Sequence, residues 1–245
     1  MAADRPEQRI ALVTGVTAGT GEEIARRLLR DGFKVYVGAP AIHTVLGLFG
    51  TGAIPVALDT SRADDIIAVV DRIFEEGGGI DVLVNHTGAF RSDAANDVSS
   101  REARYRFELD LFGLTRLIKL LLPGMRKRGS GRIVNVSPAE GIGKAPRGSR
   151  CSVTRQALEG WSDCLRIEAA PFGVDVVLVE PGAENIRSAG LHGGSGTGTG
   201  GDAKSTETIA RACEKFYEHG RSFGPDASPR SLARPSAPRA RKRVM

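Results

Sequence analysis

The sequence predicts a single α/β domain built on a doubly wound parallel sheet, and three observations support this fold class. Short apolar runs typical of strands alternate with segments of helical periodicity along most of the chain. The apolar runs are continuous, which is typical of parallel strands covered on both faces. The length of 245 residues suits one such domain with a sizeable core.

The first strand, at residues 10–13, leads into a glycine-rich loop and then into a helix. The loop carries Gly15, Gly19 and Gly21, and helical periodicity begins at the third glycine. Glycines let the backbone approach a ligand closely, and the free N–H groups at a helix N-terminus attract an anion. We therefore expect a pyrophosphate to bind here. A tight strand–helix turn without a ligand is the alternative.

The rest of the folded body continues the alternation of strands and helices. In such sheets ligands bind beyond the carboxyl ends of the strands, at the switch in strand order, so the residues that follow each strand are the candidates. One long helix should bend near Gly113 and Pro123. Further strands are predicted at residues 33–38, 54–60, 80–84, 132–137 and 174–179, and helices at 63–76, 101–128 and 152–170.

The pattern weakens after Pro181-Gly182. Residues 190–201 are rich in glycine, serine and threonine and read as a flexible segment, followed by a helix at about 205–219. We place the domain at residues 1–224 and a disordered basic tail at 225–245. The tail accounts for the formal net charge of +5 and leaves the body near neutral, so nucleic acid is not an expected partner.

Composition also bears on membranes, metals and location. No run of 18 or more apolar residues is present, so a membrane span is not expected. Residues 1–9 are polar and lack the apolar core of a secretion signal. Cys151, Cys164 and Cys213 are widely spaced and without metal-ligand spacing, which indicates reduced thiols in a cytoplasmic protein and no metal site.

Several motifs resemble those of the short-chain dehydrogenase/reductase family, whose domain is of the Rossmann type. The resemblance extends over about residues 9–226. It rests on Thr14-Gly15-x-x-x-Gly19-x-Gly21 for the TGxxxGxG loop, Asp59 for the acid that meets the adenine, Asn85-His86-Thr87-Gly88 for NNAG, Gly131–Ser137 for the strand of the catalytic serine and Pro181-Gly182 for the PG motif. It implies an NAD(P) site made by Gly15, Thr17, Gly19, Thr20, Gly21, Asp59, Thr60, Asn85, Gly88, Pro181 and Gly182.

The resemblance also aligns four catalytic positions, and all four are changed. The family's tyrosine falls on Cys151, its lysine on Arg155 and its asparagine on Asp110. Its serine falls on Pro138, beside Ser137. A thiol is a weak and short donor, arginine stays protonated, and proline has no donor. The candidate site is therefore Asp110, Ser137, Cys151 and Arg155. The four changes, set against the family's pattern, imply that hydride transfer has been abandoned.

Both ends of the implied cofactor site are altered as well. After the second strand the family has an acid for the NAD ribose or arginines for the NADP phosphate, whereas this chain has Ala39-Pro40-Ala41. Ile186 stands where the family has a threonine that holds the nicotinamide. The phosphate cradle between these ends is intact, so NAD(P) binding stays an open expectation.

Two side-chain hypotheses concern the altered site. Asp110 and Arg155 would form a partly buried salt bridge that closes the old proton relay, the alternative being two separately solvated charges. Cys151 could act as a nucleophile with His86 as its base, the alternative being that His86 is an ordinary loop residue.

The leading functional interpretation is a non-redox enzyme of the cyclase, isomerase or dehydratase type, acting on a small molecule in the old pocket. One alternative is an NADP-dependent carbonyl reductase with an atypical proton donor. Another is a non-catalytic protein that binds a ligand or supports a partner. The long helix and the helix at 152–170 are the elements with which family members commonly dimerise, so a homodimer is expected.

Overall fold

The computed structural model describes residues 8–16, 20–86, 99–136 and 149–179, without the side chains of residues 46 and 149–152. Six parallel strands form one sheet within these ranges. The strands are β1 (Ile10–Val13), β2 (Lys34–Ala39), β3 (Ile54–Ala57), β4 (Val82–Asn85), β5 (Gly131–Val136) and β6 (Val174–Val179).

Five α-helices occupy the connections between the described strands. Two 3₁₀ segments lie at Ile42–Leu48 and Ala170–Phe172, and a five-residue π-helical turn lies at Glu108–Phe112. The helices are α1 (Thr20–Arg30), α2 (Ala63–Gly77), α3 (Ser100–Phe107), α4 (Gly113–Arg128) and α5 (Ser149–Ala169).

The strand order is β3-β2-β1-β4-β5-β6, which confirms the predicted doubly wound parallel sheet. β1 pairs with β2 on one side and with β4 on the other, so that Leu12 lies opposite both Tyr36 and Leu83. The order of connections reverses between β1 and β4. The carboxyl ends of these two strands therefore flank the crevice where ligands bind in this architecture.

Apolar side chains cover both faces of the sheet, as the continuous apolar runs predict. In β1, Ile10 and Leu12 pack in one buried cluster with side chains of α2 and α4. Ala11 and Val13 pack in a second cluster with side chains of α1. Successive strand residues point to opposite faces, so one four-residue strand contributes to both halves of the core.

The predicted long helix is divided into α3, the π turn and α4. The break comes just before Gly113, where a bend is predicted. A Cβ at Gly113 would overlap the carbonyl oxygen of Thr60, so only glycine lets the helix pass this close to the loop after β3. That loop is itself longer than predicted, because β3 ends at Ala57 rather than at residue 60.

The domain boundary and the tail predicted from sequence lie outside the described residues and stay predictions. The same holds for the flexible segment at 190–201 and for the helix at about 205–219.

Candidate functional site

The loop after β1 is joined to the strands on both sides of it. The N–H of Thr14 donates to the carbonyl oxygen of Val84 at 3.0 Å, and the N–H of Val16 donates to that of Gly38 at 3.0 Å. Between them Gly15 has a φ of 65°, a left-handed conformation that glycine adopts without strain. The backbone therefore turns sharply at the carboxyl end of β1, as the glycine pattern predicts.

Gly21 brings α1 close against this turn. A Cβ on Gly21 would lie 3.3 Å from the Gly15 carbonyl oxygen, from the Cα of Val16 and from Nδ1 of His86. These distances are tighter than ordinary side-chain contacts, so a larger residue would push the helix away. Because the first N–H groups of any helix lack partners within the helix, this packing brings a partial positive charge to the switch in strand order.

His86 is the partner of the loop on the β4 side. Its N–H donates to the hydroxyl of Thr14 at 3.1 Å, and that hydroxyl donates to the His86 carbonyl oxygen at 3.0 Å. Its Nδ1 lies 3.3 Å from the Gly15 carbonyl oxygen and must carry the proton, since a carbonyl only accepts. Burial lowers the pKa of His86, and the bond to Gly15 raises it in part, so the ring is neutral near pH 7.

The family resemblance places Thr14 and His86 in two separate motifs, and the hydrogen bonds that join them were not predicted. The polar pair at the ends of two neighbouring strands was the available signal. A role for His86 as a base for Cys151 stays a prediction, and the contact shown for its Nδ1 is with the loop.

A buried chain of polar side chains continues from the end of β4. The amide nitrogen of Asn85 donates to Oδ1 of Asn135 at 2.9 Å, and the amide nitrogen of Asn135 donates to Oγ of Ser162 at 2.8 Å. Ser162 in turn donates to the Leu158 carbonyl oxygen at 2.6 Å. All three side chains belong to fully buried residues, and Oδ1 of Asn85 has no hydrogen-bond partner among the described residues.

The loop after β3 holds the two further predicted cofactor residues. Oδ1 of Asp59 accepts hydrogen bonds from the N–H of Ser61 at 2.9 Å and from its hydroxyl at 2.7 Å. Thr60 is buried, and its hydroxyl donates to the Leu109 carbonyl oxygen at 3.2 Å. One carboxylate oxygen of Asp59 is thus used within its own loop, and the contact with an adenine stays a prediction.

The segment after β2 carries no charged group next to the strand end. Ala39 is buried, Pro40 is exposed, and the 3₁₀ segment Ile42–Leu48 follows. A guanidinium nitrogen of Arg26 donates to the Gly47 carbonyl oxygen and also to the carboxylate of Glu22 at 2.7 Å. α1 is therefore tied to the segment after β2, a connection that the sequence analysis did not identify although Glu22 and Arg26 have i,i+4 spacing.

Asp110 lies on the π turn and is only 7% exposed. Its Oδ1 is 3.9 Å from Nη1 of Arg106, and its Oδ2 accepts a hydrogen bond from Oγ1 of Thr154 at 3.4 Å. Arg106 and Thr154 are buried as well. The structure thus brings Asp110, the residue predicted to match the family's asparagine, against α5, one turn beyond Cys151 along that helix. π turns are frequent at functional sites.

Arg155, on the same turn of α5 as Thr154, is 6% exposed. Its Nε donates to Oε1 of Glu159 at 2.5 Å. The contacts shown for Asp110 and Arg155 are with Arg106, Thr154 and Glu159, and an Asp110–Arg155 ion pair stays a prediction. The pairs Arg106–Asp110 and Arg155–Glu159 have the i,i+4 spacing that the sequence displays, and only the fold shows that they are buried.

Several predicted site residues lie outside the described parts of the chain. For Cys151 only the main chain is described, within α5. Thr20 begins α1. The residues outside are Thr17, Gly19, Gly88, Ser137, Pro138, Pro181, Gly182 and Ile186.

No group of three or more histidine, cysteine, aspartate or glutamate side chains among the described residues could hold a metal ion. No helix within them has both the length and the apolar character needed to cross a membrane.

The fold and the glycine turn at its switch point define a Rossmann-type domain. Residues 9–188 match the family model described as short chain dehydrogenase. The uncharacterized oxidoreductase YusZ of Bacillus subtilis (strain 168) is 32% identical over 188 residues, which cover 72% of this chain and 65% of YusZ. The chain belongs to the short-chain dehydrogenase family, and it spans less than two thirds of this relative's length.

Solved structures agree with this assignment. A short-chain dehydrogenase from Streptomyces avermitilis is 37% identical, with a TM-score of 0.68 over 72% of this chain and 66% of that one. A variant of actinorhodin polyketide ketoreductase, solved with NADPH, is 28% identical. Its TM-score is 0.72 over 84% of this chain and 90% of that one.

Because His86 is held neutral in the folded chain, we expect the free energy of unfolding to depend on pH. Below about pH 6.5 the unfolded chain binds a proton at this residue that the folded chain, with its lowered pKa, does not yet accept. Stability is therefore lost as the pH falls below the unfolded value. From about pH 7.5 to about pH 5.5, wild type should lose up to about 1.4 kcal/mol more unfolding free energy than His86→Asn.

Urea denaturation of both proteins at the two pH values measures this difference. His43→Asn replaces an exposed histidine after β2 and is the matched control, which should behave as wild type. Equal acid sensitivity of wild type and His86→Asn would show that His86 is not held neutral against the loop.

Proposed function

We propose that the chain binds NADP(H) at the carboxyl edge of the sheet and acts as an oxidoreductase on a small-molecule carbonyl compound, with an atypical proton donor. Membership of the short-chain dehydrogenase family supports this proposal. So does the similarity to a ketoreductase whose structure contains NADPH. The proposal departs from the non-redox function that the altered catalytic positions predict, because the glycine turn after β1 and the close packing of α1 against it are present.

The observation that carries the proposal is the cradle formed by Gly15, Gly21 and His86. A Cβ at Gly21 would crowd the loop, so the first turn of α1 lies directly behind the backbone that a pyrophosphate would approach. Oδ1 of Asn85, buried and without a described partner, is an acceptor that a donor group of a bound ligand could satisfy. These features fit a dinucleotide.

We infer that the cofactor would be held by the residues predicted from sequence. The absence of an acid at Ala39-Pro40-Ala41 removes the group that would repel a 2′-phosphate, which favours NADP over NAD. The holding residues would be Gly15, Thr17, Gly19, Thr20, Gly21, Asp59, Thr60, Asn85, Gly88, Pro181 and Gly182.

When bound, NADPH would supply the hydride that converts a carbonyl carbon into an alcohol carbon, with NADP⁺ as the other product. The chain supplies the proton that the carbonyl oxygen takes. We assign that proton to the thiol of Cys151, which water then reprotonates. Arg155 cannot replace it because a guanidinium keeps its proton, and Nε of Arg155 already donates to Glu159.

The second candidate is the non-redox enzyme of the cyclase, isomerase or dehydratase type. It is favoured by the buried charges at the altered site, where Asp110 contacts Arg106 and Thr154 while Arg155 contacts Glu159. These fixed charges could orient a polar substrate without a change in its oxidation state. A non-catalytic role as a ligand-binding or scaffolding protein is the outcome if no turnover of any kind is found.

Cysteine variants test the proposed reaction. Purified wild type is assayed with a panel of aldehydes, ketones and β-keto esters, following both the nicotinamide absorbance and the products by mass spectrometry. Cys151→Ala should reduce carbonyl turnover about 10²- to 10⁴-fold, as expected on loss of a positioned proton donor. Cys164→Ala is the matched control, because Cys164 is a free, exposed cysteine on the same helix, and it should keep the wild-type rate.

Other outcomes separate the candidates. Reduction that persists at the full rate in Cys151→Ala contradicts the assignment of the proton donor. Product formation without any change in nicotinamide absorbance supports the non-redox enzyme instead. Binding of NADPH without turnover of the panel supports the non-catalytic role.

We also propose that the chain forms a homodimer through α5. Val153, Gly160 and Ile167 are spaced by seven residues along this helix and are exposed, Ile167 to 77%. A stripe of exposed apolar and small residues on a helix is suited to packing against a second copy.

The widely spaced cysteines support a cytoplasmic location, as the sequence predicts.

Gly160 tests this interface. A Cβ at Gly160 meets no atom within 4 Å, so a large side chain there is compatible with one chain alone but not with a second helix packed on it. Sedimentation equilibrium should give twice the 26.0 kDa chain mass for wild type and for Gly160→Ala, and the chain mass for Gly160→Arg. A dimeric Gly160→Arg, or a monomeric wild type, would rule out the α5 interface.

A further inference from the structure

The loop after β3 contacts the π turn through a side-chain hydrogen bond. The Thr60 hydroxyl donates to the Leu109 carbonyl oxygen at 3.2 Å. Thr60 is 6% exposed, so the donor side of this bond is buried. Leu109 directly precedes Asp110, and the bond therefore joins the end of an edge strand to the turn that carries a buried carboxylate.

The carbonyl group that accepts this bond belongs to a π turn, whose hydrogen bonding differs from that of an α-helix. Its hydrogen bonding runs five residues back, with the N–H of Gly113 donating to the Glu108 carbonyl oxygen. Such a turn is less favourable than regular helix and persists where its surroundings hold it. The Thr60 hydroxyl supplies an additional donor to a carbonyl group inside the turn.

The same loop also packs against the end of the turn. A Cβ on Gly113 would overlap the Thr60 carbonyl oxygen and approach that of Glu108. The residue Thr60 therefore meets the turn at two points, with its hydroxyl at Leu109 and with its backbone at Gly113. A shift of this loop cannot leave the turn unchanged, because Thr60 is buried and Gly113 is closely packed against it.

The two sides of this contact lie at different parts of the crevice. Thr60 follows β3 in the half of the sheet made by β1, β2 and β3, which takes one half of a dinucleotide in this architecture. Asp110 lies against α5, through its contact with Thr154. The loop after β3 is thus joined to the site residue Asp110 through the bond from Thr60 to the residue just before it.

We propose that Thr60 is a positioning residue that links nucleotide binding at the end of β3 to the placement of Asp110 on the π turn. The link rests on the proposed function in one respect, since a dinucleotide must occupy the β1–β3 half. Occupancy of that half restrains the loop, the Thr60 hydroxyl holds Leu109, and the carboxylate of Asp110 is held between Arg106 and Thr154.

Hydrogen exchange of the full chain, read by mass spectrometry with and without NADPH, tests the link. In wild type, NADPH should slow exchange of the amides at residues 108–114 as well as those at the start of α1. In Thr60→Val, which keeps the shape but removes the hydroxyl, these amides should exchange about fivefold faster without NADPH, as expected for the loss of one hydrogen bond. They should also no longer respond to NADPH.

Two variants serve as controls for this experiment. Thr60→Ser restores a hydroxyl and should regain the response to NADPH. Thr115→Val removes a hydroxyl that donates to the Phe112 carbonyl oxygen at 3.0 Å, a bond within the helix. Exchange at residues 108–114 of Thr115→Val should still slow on addition of NADPH. Loss of a bond within the helix loosens the turn locally but leaves the bond from Thr60 to Leu109 in place.

The result that overturns the inference is a response at residues 108–114 that is the same in wild type and in Thr60→Val. NADPH that protects α1 but not the π turn of wild type overturns it as well. If NADPH does not bind at all, the proposed function fails. The positioning role of Thr60 is then tested on the protein without nucleotide. Equal exchange rates of the amides at residues 108–114 in wild type and in Thr60→Val contradict that role.

Discussion

The close approach of α1 to the end of β1 is the constraint on which the candidate site depends. A Cβ on Gly21 would lie only 3.3 Å from the Gly15 carbonyl oxygen and from Nδ1 of His86, which is tighter than an ordinary side-chain contact. The hydrogen bonds of Thr14 with His86 and Val84 then hold the loop at the junction of β1 and β4. Because the strand order reverses at this junction, the helix N-terminus is directed to the crevice that the fold leaves open.

The two halves of the candidate site differ in the groups that form them. On the β1 side, the turn and the neutral histidine preserve a backbone cradle that depends on shape more than on side-chain identity. On the side of α3 and α5, the site is made of side chains, and these include the buried charges of Asp110 and Arg155. Because a guanidinium keeps its proton, Arg155 cannot pass a proton on as a lysine could.

The sequence analysis predicted the sheet, the switch point and the glycine turn because each depends on local pattern. Continuous apolar runs indicate covered parallel strands, Gly15 marks a left-handed turn, and Gly21 marks a close approach of helix to loop. It did not predict the π turn or the buried pairs of Arg106 with Asp110 and Arg155 with Glu159. Those features depend on contacts between α3, α5 and the loop after β3, which are distant in sequence.

The central claim is that the crevice at the end of β1 binds a nicotinamide nucleotide, and a direct binding titration of the purified full chain tests it. Calorimetry with NADPH, and separately with NADH, should give saturable binding that is tighter for NADPH. Gly21→Val, checked to be folded by circular dichroism, should weaken that binding at least about 100-fold, since it moves α1 away from the loop. Gly160→Ala, on α5, should bind as wild type does. Failure of wild type to bind either nucleotide at about millimolar concentration, an affinity of only about 4 kcal/mol, would contradict the account.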